Sequence, residues 1–148
     1  MVSRRTALVG LSIVAWGAAM ALTASANQAA ATTKTTNDGV YTRAQADGAK
    51  ARFNKICADC HAFTVAAKKR PGDLPLGDEP FLKKWSGRDL EELITVIVTT
   101  MPNDGSAVVN DAEAANLVAY ILQQNGYPAG SKPLTAAGAS AVIARPKK

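Results

Sequence analysis

Apolar residues recur at helical spacing in three stretches of the chain. Ala46, Ala49, Phe53 and Ile56 form the first stripe, and Thr42 followed by Gln45 supplies a capping box ahead of it, so the pattern predicts an amphipathic helix over residues 43–56. Leu90, Leu93, Ile94, Ile97 and Val98 form the second. Glu91 and Glu92 in its opening turn suit the helix dipole, and Pro102 helps to stop it after Thr99 or Thr100. Leu117, Val118, Ile121 and Leu122 form the third, with Asn110 and Glu113 as its capping pair and Gly126 placed as its C-terminal cap.

The stretches between read differently. From Ala62 to Trp85, Pro71, Gly72, Pro75, Gly77 and Pro80 forbid long helices or paired strands, which predicts a loop wrapped around something. Residues 27–39 are rich in Ala, Thr, Gln and Asn without apolar period and read as a flexible leader. Residues 131–148 read as a basic Ala/Pro-rich tail. At the N-terminus, Arg4 and Arg5 precede an apolar run from Ala7 to Leu22 and then Ala24-Ser25-Ala26. That is the order of a secretory signal peptide over residues 1–26, and its apolar run is short of the roughly 20 residues that span a bilayer. The expectation is export to the periplasm, cleavage after Ala26 and no stable membrane insertion afterwards; retention of the run as an anchor is the alternative. The domain is expected over residues 40–130.

Composition sharpens this. Of 148 residues 29 are alanine while aromatics supply only 5%, so the large side chains that normally fill a core are scarce. Formal charge is +5, yet between Asn37 and Gly130 10 basic residues face all 12 acidic ones, a net of −2. The basic excess belongs to the ends, and no basic stripe with interleaved aromatics runs through the domain, which argues against nucleic acid as a partner. Lys68, Lys69, Arg70, Lys83 and Lys84 are read as solvated surface rather than a docking patch.

The thin core points to an apolar cofactor, and one motif names it. Cys57-Ala58-Asp59-Cys60-His61 places two thiols three residues apart with a histidine directly after, the attachment pattern of c-type haem. Each thiol can add across a haem vinyl group, and the adjacent imidazole is then held as an iron ligand. A zinc site would need a fourth ligand, and His61 is badly placed to share one tetrahedral ion with Cys60. A thioredoxin-like pair would follow a strand and open a helix, whereas here a helix precedes the cysteines. A structural disulfide would leave His61 and Met101 without a role. Met101 lies past the end of the second apolar stripe, in a Thr-Thr-Met-Pro-Asn-Asp-Gly turn, which suits a second iron ligand better than core filling. An iron held by His61 and Met101 has no free position for oxygen, peroxide or substrate, so the expected function is one-electron carriage and not catalysis.

These residues resemble the class I cytochromes c over roughly residues 40–130. The resemblance rests on Phe53 four before Cys57, the Cys57–His61 motif, the proline-bearing loop, Met101-Pro102 and Leu117-Val118-Ala119-Tyr120. It implies an all-α cytochrome c fold, three to four short helices around one covalently bound haem, with the first and last helices meeting at Phe53, Leu117 and Tyr120. One departure is Ala49, with Gly48 one place early, where the family usually has glycine. The resemblance also implies a proline carbonyl that accepts the imidazole N–H, with Pro71 and Pro75 as candidates and Pro75 favoured. Trp85 is similar to a family tryptophan near a haem propionate, with plain packing as the other reading. Arg88 is read as an exposed helix-start residue before a propionate partner.

A narrower likeness lies in Phe81-Leu82-x-x-Trp85-x-Gly87-Arg88, Thr99-Thr100-Met101-Pro102 and Asn125-Gly126-Tyr127-Pro128-Ala129-Gly130. It resembles small periplasmic cytochromes c associated with quinoprotein (PQQ) dehydrogenases. The likeness implies redox protein partners: a PQQ-dependent dehydrogenase as donor, and a terminal oxidase or other cytochrome as respiratory acceptor. Ala62, Phe63, Lys68 and Lys69 are the expected rim of the contact surface. The alternatives are a fixed cytochrome subunit of a dehydrogenase or oxidase complex, with the tail as a docking strap, and a haem enzyme or sensor with an open iron site.

Overall fold

A computed structural model describes residues 33–147; the signal-peptide reading of residues 1–26 lies outside them. Within these residues four helices follow in chain order, α1 (Arg43–Ile56), α2 (Asp78–Trp85), α3 (Leu90–Thr100) and α4 (Asp111–Gln124), with single 3-10 turns at Thr36–Asp38 and Ala136–Gly138. Among the described residues there is no strand, only bridges of Val142 to Thr35 and to Asp89, so the all-α expectation is met. No helix among them is long and apolar enough to cross a membrane.

The helix ends follow local chemistry. Thr42 Oγ1 accepts from the Gln45 N–H at 3.2 Å, Asp89 Oδ1 from the Glu92 N–H at 2.9 Å, and Asn110 Oδ1 from the Glu113 N–H at 2.9 Å. Each satisfies a donor that the first turn leaves unpaired. At the end of α4, Gly126 takes φ +78°, the left-handed conformation that releases the chain.

α1 packs on α4, and α3 packs on α4 as well. Phe53 and Tyr120 meet at the first contact with ring centroids 5.1 Å apart, and Leu117 is buried on the same face of α4. Ala49 is buried, whereas a Cβ at Gly48 would meet no atom within 4 Å, so Ala49 and not Gly48 is the small residue turned to the core. Phe63 stacks on Phe53 at 5.1 Å and meets the edge of Tyr120 at 5.7 Å. Expected on an exposed rim, it is instead half-buried as the third ring of this cluster.

Three boundaries differ from those read along the chain. The proline-bearing loop ends in α2, because Pro80 falls in the first turn, where its missing N–H costs nothing. Residues 33–39, within the expected leader, are tied to the domain: Thr36 is buried, and its Oγ1 accepts from the Ala144 N–H at 3.1 Å. Residues 131–147 are no loose tail. Leu134, Ala139, Ala141 and Ile143 are buried, the Gly87 and Leu90 N–H groups donate to the Ile143 and Ala141 carbonyls at 2.8 and 3.0 Å, and the Ile143 N–H donates to Arg88 O at 2.8 Å. Tyr127 reaches the same segment, its hydroxyl donating to Ala144 O at 2.5 Å. Small apolar residues without a helical period gave no sign of this, since a segment paired to loop backbone needs none. The two ends are also brought close at Gly39 and Gly130. A Cβ on Gly130 would lie 1.9 Å from the Gly39 carbonyl oxygen, and Gly39 itself holds φ +66°.

Candidate functional site

α1 ends at the cysteine motif. Cys57 caps the helix, its N–H donating to Phe53 O at 2.9 Å, and the chain then coils so that the Cys60 and His61 N–H groups both donate to Cys57 O, at 3.1 and 2.9 Å. This tight turn holds two thiols and an imidazole within five residues. Cys57 is half-buried and Cys60 exposed, and neither is in a disulfide. Burial pushes the Cys57 thiol up to about 11, Arg52 opposing and Glu113 adding to the shift, so the thiol is protonated at neutral pH.

The loop that follows closes over the imidazole. His61 Nδ1 lies 2.8 Å from the carbonyl oxygen of Leu74, an arrangement that makes Nδ1 the donor and leaves the Nε2 lone pair free. The acceptor is therefore Leu74, not Pro71 or Pro75. The physical reason still involves Pro75: a proline confines the residue before it to extended conformations, and that residue is Leu74. Downstream the loop is tied to the body by Leu76, whose N–H donates to Ala62 O at 2.8 Å and whose carbonyl accepts from Asn125 Nδ2 at 2.7 Å.

Met101 caps α3 at its C-terminal end, its N–H donating to Ile97 O and its backbone turning to an extended conformation. It is half-buried. Cys57, Cys60, His61, Pro75, Trp85 and Met101 all line one cavity of about 880 Å³, within the size of pockets that enclose small-molecule ligands, about 300–1,000 Å³. Its buried wall is apolar, formed by Phe53, Phe81, Leu93, Ile97, Leu117 and Ile121, and charged residues such as Lys55, Asp59 and Asp104 also border it. Thus the structure brings the six sequence-derived site residues from Cys57 to Met101 to one space, whereas Pro71 does not border it.

Trp85 is buried in this wall, with Lys84 Nζ 5.3 Å and the Arg88 guanidinium 5.0 Å from its ring centroid, both within cation–π range. Lys84 also lines the cavity, but Arg88 does not; its Nε donates to Glu92 Oε2 at 2.6 Å. Arg70, Asp73 and Leu74 went unnoticed in the sequence as site residues. All three border the cavity, and Arg70 Nη2 lies 3.1 Å from Cys60 Sγ. The signal that could have found them is an arginine and an aspartate three residues apart across Pro71-Gly72.

The donor set fits haem c. Two thiols in a short turn, an imidazole whose outer nitrogen is already engaged, and a soft thioether border an apolar cavity, which is what thioether attachment and two axial ligands require. His61 would hold the iron through Nε2 and Met101 through its sulfur. Among known families, the one described as "Cytochrome C oxidase, cbb3-type, subunit III" matches residues 44–121, more than half of the chain. No curated protein and no solved structure matches it.

Proposed function

Because the chain belongs to the family of cytochrome c oxidase, cbb3-type, subunit III, and so is a class I c-type cytochrome that carries electrons on haem c, we propose that it works as a periplasmic one-electron carrier with a single haem. Cys57 and Cys60 attach the haem covalently, and His61 and Met101 ligate its iron. The observation that carries this reading is the meeting of those four side chains at one apolar cavity. When bound, haem supplies a reversible one-electron couple. The protein's own residues do the rest: Leu74 O orients the imidazole, Met101 offers a neutral soft sulfur that favours ferrous iron, and the buried wall keeps water away.

The proposed donor is a dehydrogenase of the PQQ-dependent class and the proposed acceptor a terminal oxidase or another cytochrome, on the strength of the sequence likeness at residues 81–88, 99–102 and 125–130. The signal-peptide pattern in residues 1–26 supports periplasmic residence. The test is the mass and the spectrum of the protein purified from a host that matures c-type cytochromes. One covalent haem on a chain beginning at Asn27, with a far-red band from methionine sulfur on ferric iron, is expected. A colourless protein would overturn the reading, and ready carbon monoxide binding by the reduced form would move it toward an enzyme or sensor.

A second reading, a fixed subunit of a larger redox complex, is favoured by the name of the family. Co-purification with an oxidase or dehydrogenase that survives high salt would support it over free carriage.

A further inference from the structure

We propose that Asp73 and Arg70 are positioning residues for the iron-binding histidine, together aiming the Leu74 carbonyl at His61 Nδ1. The proposal rests on His61 being a haem ligand. Asp73 is a carboxylate only 6% exposed in a loop whose other residues are mostly at the surface. Its Oδ2 accepts from the Lys69 and Arg70 N–H groups at 3.0 and 2.9 Å, and its Oδ1 accepts from Arg70 Nε at 3.0 Å. A buried carboxylate needs such donors, and with them it fixes the turn 69–73 from inside. Burial alone would raise the Asp73 carboxyl, but the N–H groups and guanidinium of Arg70 and the Lys69 N–H outweigh it and hold the group below its ordinary value.

The same guanidinium reaches to the attachment turn. Arg70 Nη2 donates to Asp59 O at 2.7 Å and lies 3.1 Å from Cys60 Sγ. A closed circuit results: Cys60 leads to His61, His61 to the Leu74 carbonyl, Leu74 to its neighbour Asp73, Asp73 to Arg70, and Arg70 back to Cys60. Leu74 has its conformation limited from the other side by Pro75. Its own side chain is 60% exposed and cannot anchor it by burial. The two charged residues therefore decide where the carbonyl points, and the carbonyl decides how strongly Nδ1–H is engaged and how basic the imidazole becomes.

The positions of the charges make the idea testable. Weaker engagement of Nδ1–H leaves a poorer donor to iron, favours the ferrous form and raises the reduction potential. Simple removal of charge near the haem predicts something else: loss of the Arg70 cation should lower the potential, and loss of the Asp73 anion should raise it. Arg70→Gln and Asp73→Asn should be prepared as holoproteins, and the exchange of His61 Nδ1–H followed by NMR beside the midpoint potential. Positioning predicts about tenfold faster exchange in both variants and a raised potential in both. Arg70→Lys keeps the charge but not the planar fork, and should show faster exchange as well. Exchange at the wild-type rate, with potentials moving in opposite directions, would overturn the proposal. If Asp73→Asn does not accumulate, the two Arg70 variants decide it by the same readouts. A wild-type protein without covalent haem would instead overturn the functional reading, whereas coloured variants with unaltered exchange would overturn this inference alone.

Discussion

Arg145 grips both carboxylate oxygens of Glu79, Nη1 to Oε2 at 2.9 Å and Nη2 to Oε1 at 2.6 Å, and so fastens the C-terminal segment to the helix that carries Phe81 and Trp85. Both partners of the pair are well over half exposed. Solvent screening therefore makes it a guide for the segment and not its main source of stability. That source is Ile143, fully buried a few residues before.

Truncation of Ile143 tests the division. Ile143→Ala should cost about 2–5 kcal/mol of unfolding free energy, the range for removing a buried isoleucine side chain beyond its β-carbon. Arg145→Ala should move the urea midpoint far less, and Lys147→Ala, at an exposed position, should leave it nearly unchanged. Equal midpoints for wild type and Ile143→Ala would mean that the segment does not support the fold.

The same ion pair gives a pH dependence with a definite sign. Hydrogen bonding from Arg145 holds the Glu79 carboxyl below its ordinary value of 4.5, burial opposing and the nearby charges of Arg145 and Lys83 assisting. A group depressed in the folded state contributes its full stability above the unfolded value and loses it as pH falls through the folded one. Stability should thus decline below about pH 4.5. Glu79→Gln should show a shallower decline than wild type in urea titrations repeated from pH 7 down to 3.

Methionine ligation is tested by Met101→Ala. The potential should fall on the order of 0.1 V, a modest part of the roughly 0.8 V that axial ligands command. The haem should stay attached through Cys57 and Cys60, and the reduced protein should acquire carbon monoxide binding. An unchanged potential and spectrum would remove Met101 from the site.

The cysteines bear on the fold as well as the cofactor. Eight of the large buried side chains, Phe53, Phe81, Trp85, Leu93, Ile97, Val109, Leu117 and Ile121, line the cavity, and without a bound apolar group the fold would have to keep open an apolar space of about 880 Å³ or close it by rearranging. Cys57→Ala combined with Cys60→Ala should abolish covalent haem and sharply reduce helicity measured by circular dichroism. Full helicity in a haem-free chain would show that the polypeptide closes its own core.

Much of this was legible in the amino-acid order because the physics is local. A 3.6-residue period places Ala46, Ala49 and Phe53 on one helix face whatever lies opposite, and a capping side chain such as Asn110 reaches a donor only three residues away. The two thiols and the imidazole are likewise neighbours in sequence, so their chemistry could be read without a fold. Met101 was legible for a related reason: an apolar stripe that ends before it leaves a soft side chain with no helix face to fill.

What tertiary structure alone decided is contact between backbones and between residues far apart in the chain. The Leu74 carbonyl meets His61 because a turn built on Asp73 points it there, and every residue type has a carbonyl, so composition does not single one out. Ile143 lies against the loop ahead of α3 through backbone bonds to Gly87 and Arg88, which impose no pattern on side chains. Side-chain periodicity reports which face of an element is buried. It carries no record of which distant peptide group completes a hydrogen bond, and here those peptide groups close the domain and orient its histidine.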